Sequence, residues 1–324
     1  MCCLFGLIDT RNQFTGKQKT KVLHALATAS EVRGTDATGV AFNTSSGLCV
    51  CKAPVPGRAF RFHVRNDTVA VMGHTRMTTQ GDEKKNQNNH PFLGHVGSTP
   101  FALAHNGMLS NDRELHRKLK LPSTDIETDS YAAVQIIEQQ NKLNFDSLRC
   151  MAEQMEGTFT FTVLDRQSNV YFVKGNNPLC LYHYRHSGLI LYASTEEVLT
   201  TALLCIPYRL GKASSIKVTC GEILRIAPTG KQERAEFDDS KLFTSHWPPY
   251  AGWSNFSLTG TSTKPSNTQY MADLKAIASF FGYSATYVDY LLAEGIDPLE
   301  IEEMLYNGEL EGSTYESVSC RAWR

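Results

Sequence analysis

Leu103-Ala104-His105-Asn106-Gly107-Met108-Leu109-Ser110-Asn111 reads as an apolar strand, a His-Asn-Gly turn and a helix entry capped by Asn111. Working outward from it, residues 101–104 supply the strand and the helix runs on through Leu119. A second helix begins at Asp129 and reaches about Asn141, and a third covers residues 145–155. Strands then follow at 158–165, 170–174, 179–184 and 189–193, a helix at 196–204, and a strand at 222–226. Upstream, residues 2–9 form an apolar strand. Val22, Leu23, Leu26 and Ala29 place a helix over 19–30, and short strands occupy 39–43, 48–52 and 69–73. Strands, then helices, then strands again is not the alternation of a doubly wound parallel sheet. The order specifies an α+β layered fold.

Composition narrows the function classes. The chain has 324 residues, 41% hydrophobic and 20% charged, with a formal net charge of -1. That balance offers no footprint for nucleic acid or an anionic membrane. No run approaches the roughly 20 apolar residues of a membrane helix. The N-terminus lacks the basic and apolar regions of a signal peptide, so a cytoplasmic location is expected. Nine cysteines without a C-x-x-C pair argue against a disulfide framework or a zinc ribbon.

Several polar segments interrupt the apolar runs. Arg33-Gly34-Thr35-Asp36-Ala37-Thr38-Gly39 lies between a helix and a strand. Gly73-His74-Thr75-Arg76-Met77-Thr78-Thr79-Gln80-Gly81 leaves a strand for a polar loop. Asn88-Asn89-His90-Pro91-Phe92 follows, then the His-Asn-Gly stretch, then Glu127-Thr128-Asp129-Ser130 at a helix start. Behind all of them stands Cys2. Removal of Met1 would leave Cys2 with a free α-amine of pKa about 8, able to act as base for its own thiol. Each segment alone has an ordinary reading: a core cysteine, solvated charges, a hairpin turn. His74, His90, His95 and His105 lack metal-ligand spacing and acidic company, so structural hydrogen bonding is expected of them and no metal or other cofactor is called for.

Taken together, in this order and spacing behind Cys2, the segments resemble the glutaminase domain of class II glutamine amidotransferases over about residues 2–230. The resemblance implies a four-layer α/β/β/α sandwich of two antiparallel sheets, the fold of N-terminal-nucleophile hydrolases. It implies that Cys2 attacks the side-chain amide of L-glutamine to give a γ-glutamyl thioester and ammonia, with Asn106 and the Gly107 amide as the oxyanion hole. Arg76 would take the substrate α-carboxylate and Asp129 its α-ammonium, with Thr79 and Gln80 lining the pocket. Arg33, Asp36, His74 and His90 would support the site. The sequence departs from the family in Cys3, where glycine is usual, and in Ala37, where serine is usual. Cys3 is expected to put a second thiol near the nucleophile.

The domain is expected to span 2–238, followed by a linker at 239–269, a small helical bundle at 270–311 and a tail at 312–324. Beyond the glutaminase region there is no phosphate-binding glycine loop. Ammonia is therefore expected to pass to a separate synthase subunit, with the apolar C-terminal helices either docking that partner or packing as a bundle. Nothing in the sequence fixes an oligomeric state. Two other functions share these residues: hydrolysis of a different γ-glutamyl amide, or glutamine binding without catalysis.

Overall fold

The computed structural model describes residues 2–242 and 283–296, together with positions 274, 275, 278, 301 and 304. The chain divides into two units, residues 1–247 and 248–324.

The first unit is built on two antiparallel sheets. One has seven strands: β1 (Cys3–Asp9), β2 (Ala37–Thr44), β3 (Gly47–Ala53), β4 (Ala70–Arg76), β9 (Cys180–Tyr184), β10 (Leu189–Ala193) and β11 (Ala213–Ser215). Their spatial order is β11-β9-β10-β1-β4-β2-β3. The other has β5 (Phe92–Val96), β6 (Thr99–Leu109), β7 (Gly157–Leu164), β8 (Val170–Lys174), β12 (Glu222–Ile226) and β13 (Gln232–Glu236). These run β13-β12-β8-β7-β6-β5.

Helices α1 (Gly16–Ala29) and α5 (Glu196–Cys205) cover the outer face of the first sheet. Helices α2 (Asp112–Leu119), α3 (Tyr131–Gln139) and α4 (Phe145–Ala152) cover the outer face of the second. The result is the four-layer α/β/β/α sandwich that the resemblance implied, and an α+β layered fold as the element order specified.

Side-chain alternation sorts the strands' residues between layers. In β1, Leu4 and Ile8 enter the core between the sheets, while Cys3, Phe5 and Leu7 pack under α1 and α5. In β6, Ala102 and Ala104 face the other sheet, and Phe101 and Leu103 face the helices. Met72 of β4, Leu164 of β7 and Phe172 of β8 complete the inner core. Each fully buried Leu, Ile or Phe contributes about 1.5–3 kcal/mol. The two strand faces are therefore firmly assigned, and a one-residue slip would reverse every one of them.

Two local expectations are corrected. The His-Asn-Gly stretch is no turn: β6 runs through it to Leu109, paired with β7 in the register Asn106↔Thr160 and Gly107↔Phe159. The long partner strand outweighs the hairpin preference of Asn-Gly. Asn111 precedes α2 but caps nothing with its side chain. Its amide instead donates to Gln154 O at 2.8 Å and accepts from Glu156 N at 3.1 Å, tying α2 to the end of α4. Helix α1 begins three residues before the expected start, under a Thr15–Gln18 capping box. Among the described residues no helix is long and apolar enough to cross a membrane.

In the second unit, α6 (Ala285–Ala293) is capped by Ser284, whose hydroxyl accepts from Tyr287 N. Leu274, Ala278, Val288, Leu291 and Ile301 are buried together in their own small core. Most of the expected linker, most of the helix opening at 297 and the whole tail lie outside the described residues.

Candidate active site

The inner faces of β1, β4 and β6 bring the expected residues to one end of the sandwich. Cys3 pairs with Thr75 and Leu4 with His74, so Cys2 lies opposite Arg76 at the next step of the ladder. Cys2 shares the inward parity of Leu4, His74 and Arg76 that of Met72, and Asn106 that of Ala104. Cys3 points the other way, into the core beneath α1, with its thiol donating to Leu4 O at 3.3 Å. The second thiol is thus separated from the first by the sheet itself, contrary to the expectation of two thiols side by side.

Cys2 is partly exposed, and its thiol donates to Met77 O at 3.6 Å. Desolvation pushes the thiol pKa up. The Met77 contact and the Arg76 charge pull it down, and the Asp129 charge pushes it up. A thiol so held needs a base to become a nucleophile. Arg33 Nε donates to Cys2 O at 3.1 Å. Asp36 accepts from Thr78 N at 2.7 Å, and its own amide donates to Arg76 O at 3.0 Å. These two residues hold the backbone on either side of the thiol.

Arg76 is buried and spread over its surroundings. Nη1 donates to Asn89 Oδ1 at 2.7 Å, and Nη2 donates to the carbonyls of Gln80 and Gly81. It therefore organises the loop after β4 as well as charging the site. The Thr79 and Gln80 side chains are exposed on that loop, and Gln80 meets Arg76 through its backbone. Asp129 is also buried. Oδ2 accepts from Leu109 N at 2.6 Å, and Oδ1 accepts from Ser130 N at 2.7 Å and Ser130 Oγ at 3.0 Å. These three donors satisfy the oxygens of a carboxylate held out of water.

Asn106 is fully buried, and both ends of its amide lack a hydrogen-bond partner among the described residues. Such a group costs about 1–3 kcal/mol unless something fills it. Beside it, Gly107 sits at φ +147°, and a Cβ there would come within 2.0 Å of Thr158 O. Only glycine fits.

Behind the site three imidazoles crowd together. The His74 and His90 rings lie 4.3 Å apart, and His90 is 6.5 Å from His105. His74 Nε2 meets His105 O at 2.9 Å; His105 Nδ1 meets Ser130 Oγ at 2.8 Å and Nε2 meets Thr158 O at 3.3 Å. Burial lowers the pKa of all three, His74 to about 3. His90 departs from the hydrogen-bonding role expected of it: neither ring nitrogen has a partner among the described residues, and the ring packs against His74 and Phe92. His95 is exposed. Among the described residues no group of three His, Cys, Asp or Glu is arranged to hold a metal ion.

Comparison with known proteins shows what the chain resembles. Residues 74–201 match the family model described as a glutamine amidotransferase domain. Over that stretch the chain is similar to glutamine amidotransferase domains. The chain is 26% identical over 190 residues to glutamine–fructose-6-phosphate aminotransferase [isomerizing] of Sulfurisphaera tokodaii, covering 56% of this chain and 31% of that one. To the enzyme of the same name from Caldanaerobacter subterraneus it is 30% identical over 171 residues, 51% of this chain and 26% of that one. To 7-cyano-7-deazaguanine synthase of Sulfolobus acidocaldarius it is 23% identical over 207 residues, 61% and 44% of the two chains. The chain thus spans less than half the length of these curated relatives. The fold is that of the phosphoribosylpyrophosphate amidotransferase of B. subtilis, with a TM-score of 0.57, 18% identity and coverage of 73% of this chain and 49% of that one.

Three residues that hold this candidate site together were not singled out from the sequence. Asn89 orients Arg76. Ser130 links Asp129 to His105. Lys52 donates to the carbonyls of Asn89 and Pro91 at 2.6 and 3.3 Å, its pKa lowered to about 8 by burial and then by Arg76. Asn89 and Ser130 stood inside quoted motifs; Lys52, in an edge strand, carried no signal.

Proposed function

We propose that this chain hydrolyses the side-chain amide of L-glutamine, with Cys2 as the nucleophile after removal of Met1, and delivers ammonia to a separate acceptor enzyme. The observation that carries the reading is placement: Cys2 lies across the β1–β4 ladder from Arg76, and Asp129 holds the Leu109 amide just past Gly107 on β6. A free amino acid presents a carboxylate and an ammonium on one carbon, and a site reading both needs one cation and one anion placed apart.

The chemistry follows from the residues. The freed α-amine of Cys2 takes the thiol proton, and the sulfur forms a bond to the carboxamide carbon. The oxyanion that develops meets the Asn106 amide and the Gly107 N–H; one such donor is typically worth about 3–4 kcal/mol of the barrier. The carbon–nitrogen bond then breaks, the amine proton goes to the departing nitrogen, and ammonia leaves. Water attacks the γ-glutamyl thioester, releasing glutamate and restoring the thiol. Water and glutamine enter, glutamate and ammonia depart, and no redox partner is consumed. Relatives named as an aminotransferase and a synthase support an enzyme that uses the released ammonia, and that acceptor is proposed as a partner in trans.

The test is glutamate release from L-glutamine by purified, Met1-processed protein, beside Cys2→Ala. Turnover abolished by Cys2→Ala supports the reading. A processed wild-type protein that binds glutamine without turning it over would reduce the site to a binding module. Turnover of larger γ-glutamyl amides in preference to glutamine would change the substrate.

A further inference from the structure

The loop after β8 reaches across the inner face of β7 and grips the peptide that joins Asn106 to Gly107. Asn177 Nδ2 donates to Asn106 O at 2.8 Å. In a trans peptide the N–H points opposite to the C=O, so fixing that oxygen also fixes the direction of the Gly107 N–H.

The neighbouring bonds say where that direction leads. Phe159, opposite Gly107, gives its N–H to Asn176 Oδ1 at 3.1 Å, and its carbonyl accepts from Asn177 N at 3.3 Å. Phe159 therefore turns its polar groups toward the β8 side. By the alternation of an antiparallel ladder, Gly107 turns its own N–H away from β7. On that side β5 pairs with β6 only as far as Leu103, so it does not take up the Gly107 N–H, and the adjacent Asn106 side-chain amide has no partner among the described residues.

The grip is built rather than incidental. Asn177 is buried, with 8% of its surface exposed. Thr160 Oγ1 donates to Asn177 O at 2.7 Å, and Thr160 shares the inward parity of Leu164. A Cβ at Gly175 would come within 2.4 Å of Phe159 O, so the loop can lie this close only with glycine there. A Cβ at Gly107 would come within 2.7 Å of Asn177 Nδ2, which shows how closely the amide covers the turned peptide.

We propose that Asn177 is a positioning residue that holds the Gly107 N–H aimed at the developing oxyanion. It touches neither substrate nor the reacting atoms and acts through the Asn106–Gly107 peptide. The assignment rests on the glutaminase reading above and extends it to a residue 71 positions from Asn106 in sequence.

Asn177→Ala and the near-isosteric Asn177→Asp test it, each first checked for a cooperative thermal transition. Steady-state hydrolysis of L-glutamine should show kcat lowered about 10- to 100-fold, less than the loss on removing an oxyanion donor outright. KM should stay within about twofold, because Arg76 and Asp129 are untouched. Alkylation of Cys2 by iodoacetamide, a displacement that develops no oxyanion, should proceed at the wild-type rate in both variants. A kcat within twofold of wild type in a folded variant overturns the proposal while leaving the glutaminase reading intact. So does an equal loss of kcat and alkylation rate, which would mark a merely structural residue. A processed wild-type protein with no glutaminase turnover at all removes the reading and this assignment with it.

Discussion

His74 Nε2 donates to the carbonyl oxygen of His105 at 2.9 Å, joining β4 of one sheet to β6 of the other directly behind the candidate site. A carbonyl can only accept, so Nε2 carries the proton and Nδ1 is bare. That Nδ1 is buried without a partner among the described residues. A second proton there would place a cation in a dry site that already holds Arg76. Burial first, and the Arg76 charge among the lesser causes, holds the His74 pKa down to about 3.

This sets the sign of a stability change with pH. An unfolded histidine titrates near 6.5, the folded His74 near 3, so between these values the unfolded chain binds the extra proton. The contribution is complete above pH 6.5 and is lost as pH falls toward 3, at up to about 1.4 kcal/mol per pH unit. His74→Gln keeps a donor for the His105 carbonyl but cannot titrate. Urea midpoints measured from pH 7 to pH 4 should fall more steeply for wild type than for the variant. Parallel slopes would show that His74 is protonated in the folded state.

Gly107→Ala should be the most damaging small substitution in the domain. The backbone at φ +147° disfavours any Cβ, and this one would meet Thr158 O at 2.0 Å. Strand β6 must shift or bend to admit it, costing about 2–4 kcal/mol and displacing the proposed oxyanion donor. Thermal unfolding should move down by several degrees and glutamine turnover should vanish. A variant as stable as wild type would mean that the mirror-image conformation at Gly107 is not required.

Much of this architecture was legible in the sequence because both faces of most strands are buried. The apolar runs of β1, β7, β8 and β10 announce themselves. Strand β13, Gln-Glu-Arg-Ala-Glu, carries no such signal: it is a sheet edge held by charge, with Glu233 paired to Arg225 of β12 at 2.6 Å. Strand β11 is three small residues. The candidate site residues could be picked out because each stands in a short local motif. Asn177 was not, since Gly175-Asn176-Asn177-Pro178 reads as ordinary turn chemistry until the fold brings it against Asn106.

Arg76→Lys separates charge from geometry. The guanidinium spans Asn89 on one nitrogen and the Gln80 and Gly81 carbonyls on the other, which a point ammonium cannot do. The loop that follows β4 should loosen and the two-pronged hold on a carboxylate should be lost. KM for L-glutamine should rise tenfold or more while kcat falls by less, since the reacting atoms are elsewhere. An unchanged KM with a collapsed kcat would move Arg76 from binding to chemistry.

The two adjacent thiols provide the last contrast. Cys2 stands at the inner end of β1, partly exposed, while Cys3 is fully buried among Phe5, Leu7, Val22 and Leu26 beneath α1. Cys3→Ala removes one buried sulfur and should cost about 1 kcal/mol of stability through the small cavity it leaves. Turnover should remain within twofold of wild type, because the sheet lies between that cavity and the site. Cys2→Ala should do the reverse, abolishing turnover with little change in the thermal midpoint. Peptide mapping after brief iodoacetamide treatment of the native protein should find label on Cys2 and none on Cys3. Loss of activity in Cys3→Ala, with the Cys2 variant still active, would exchange their roles and refute the assignment of faces along β1.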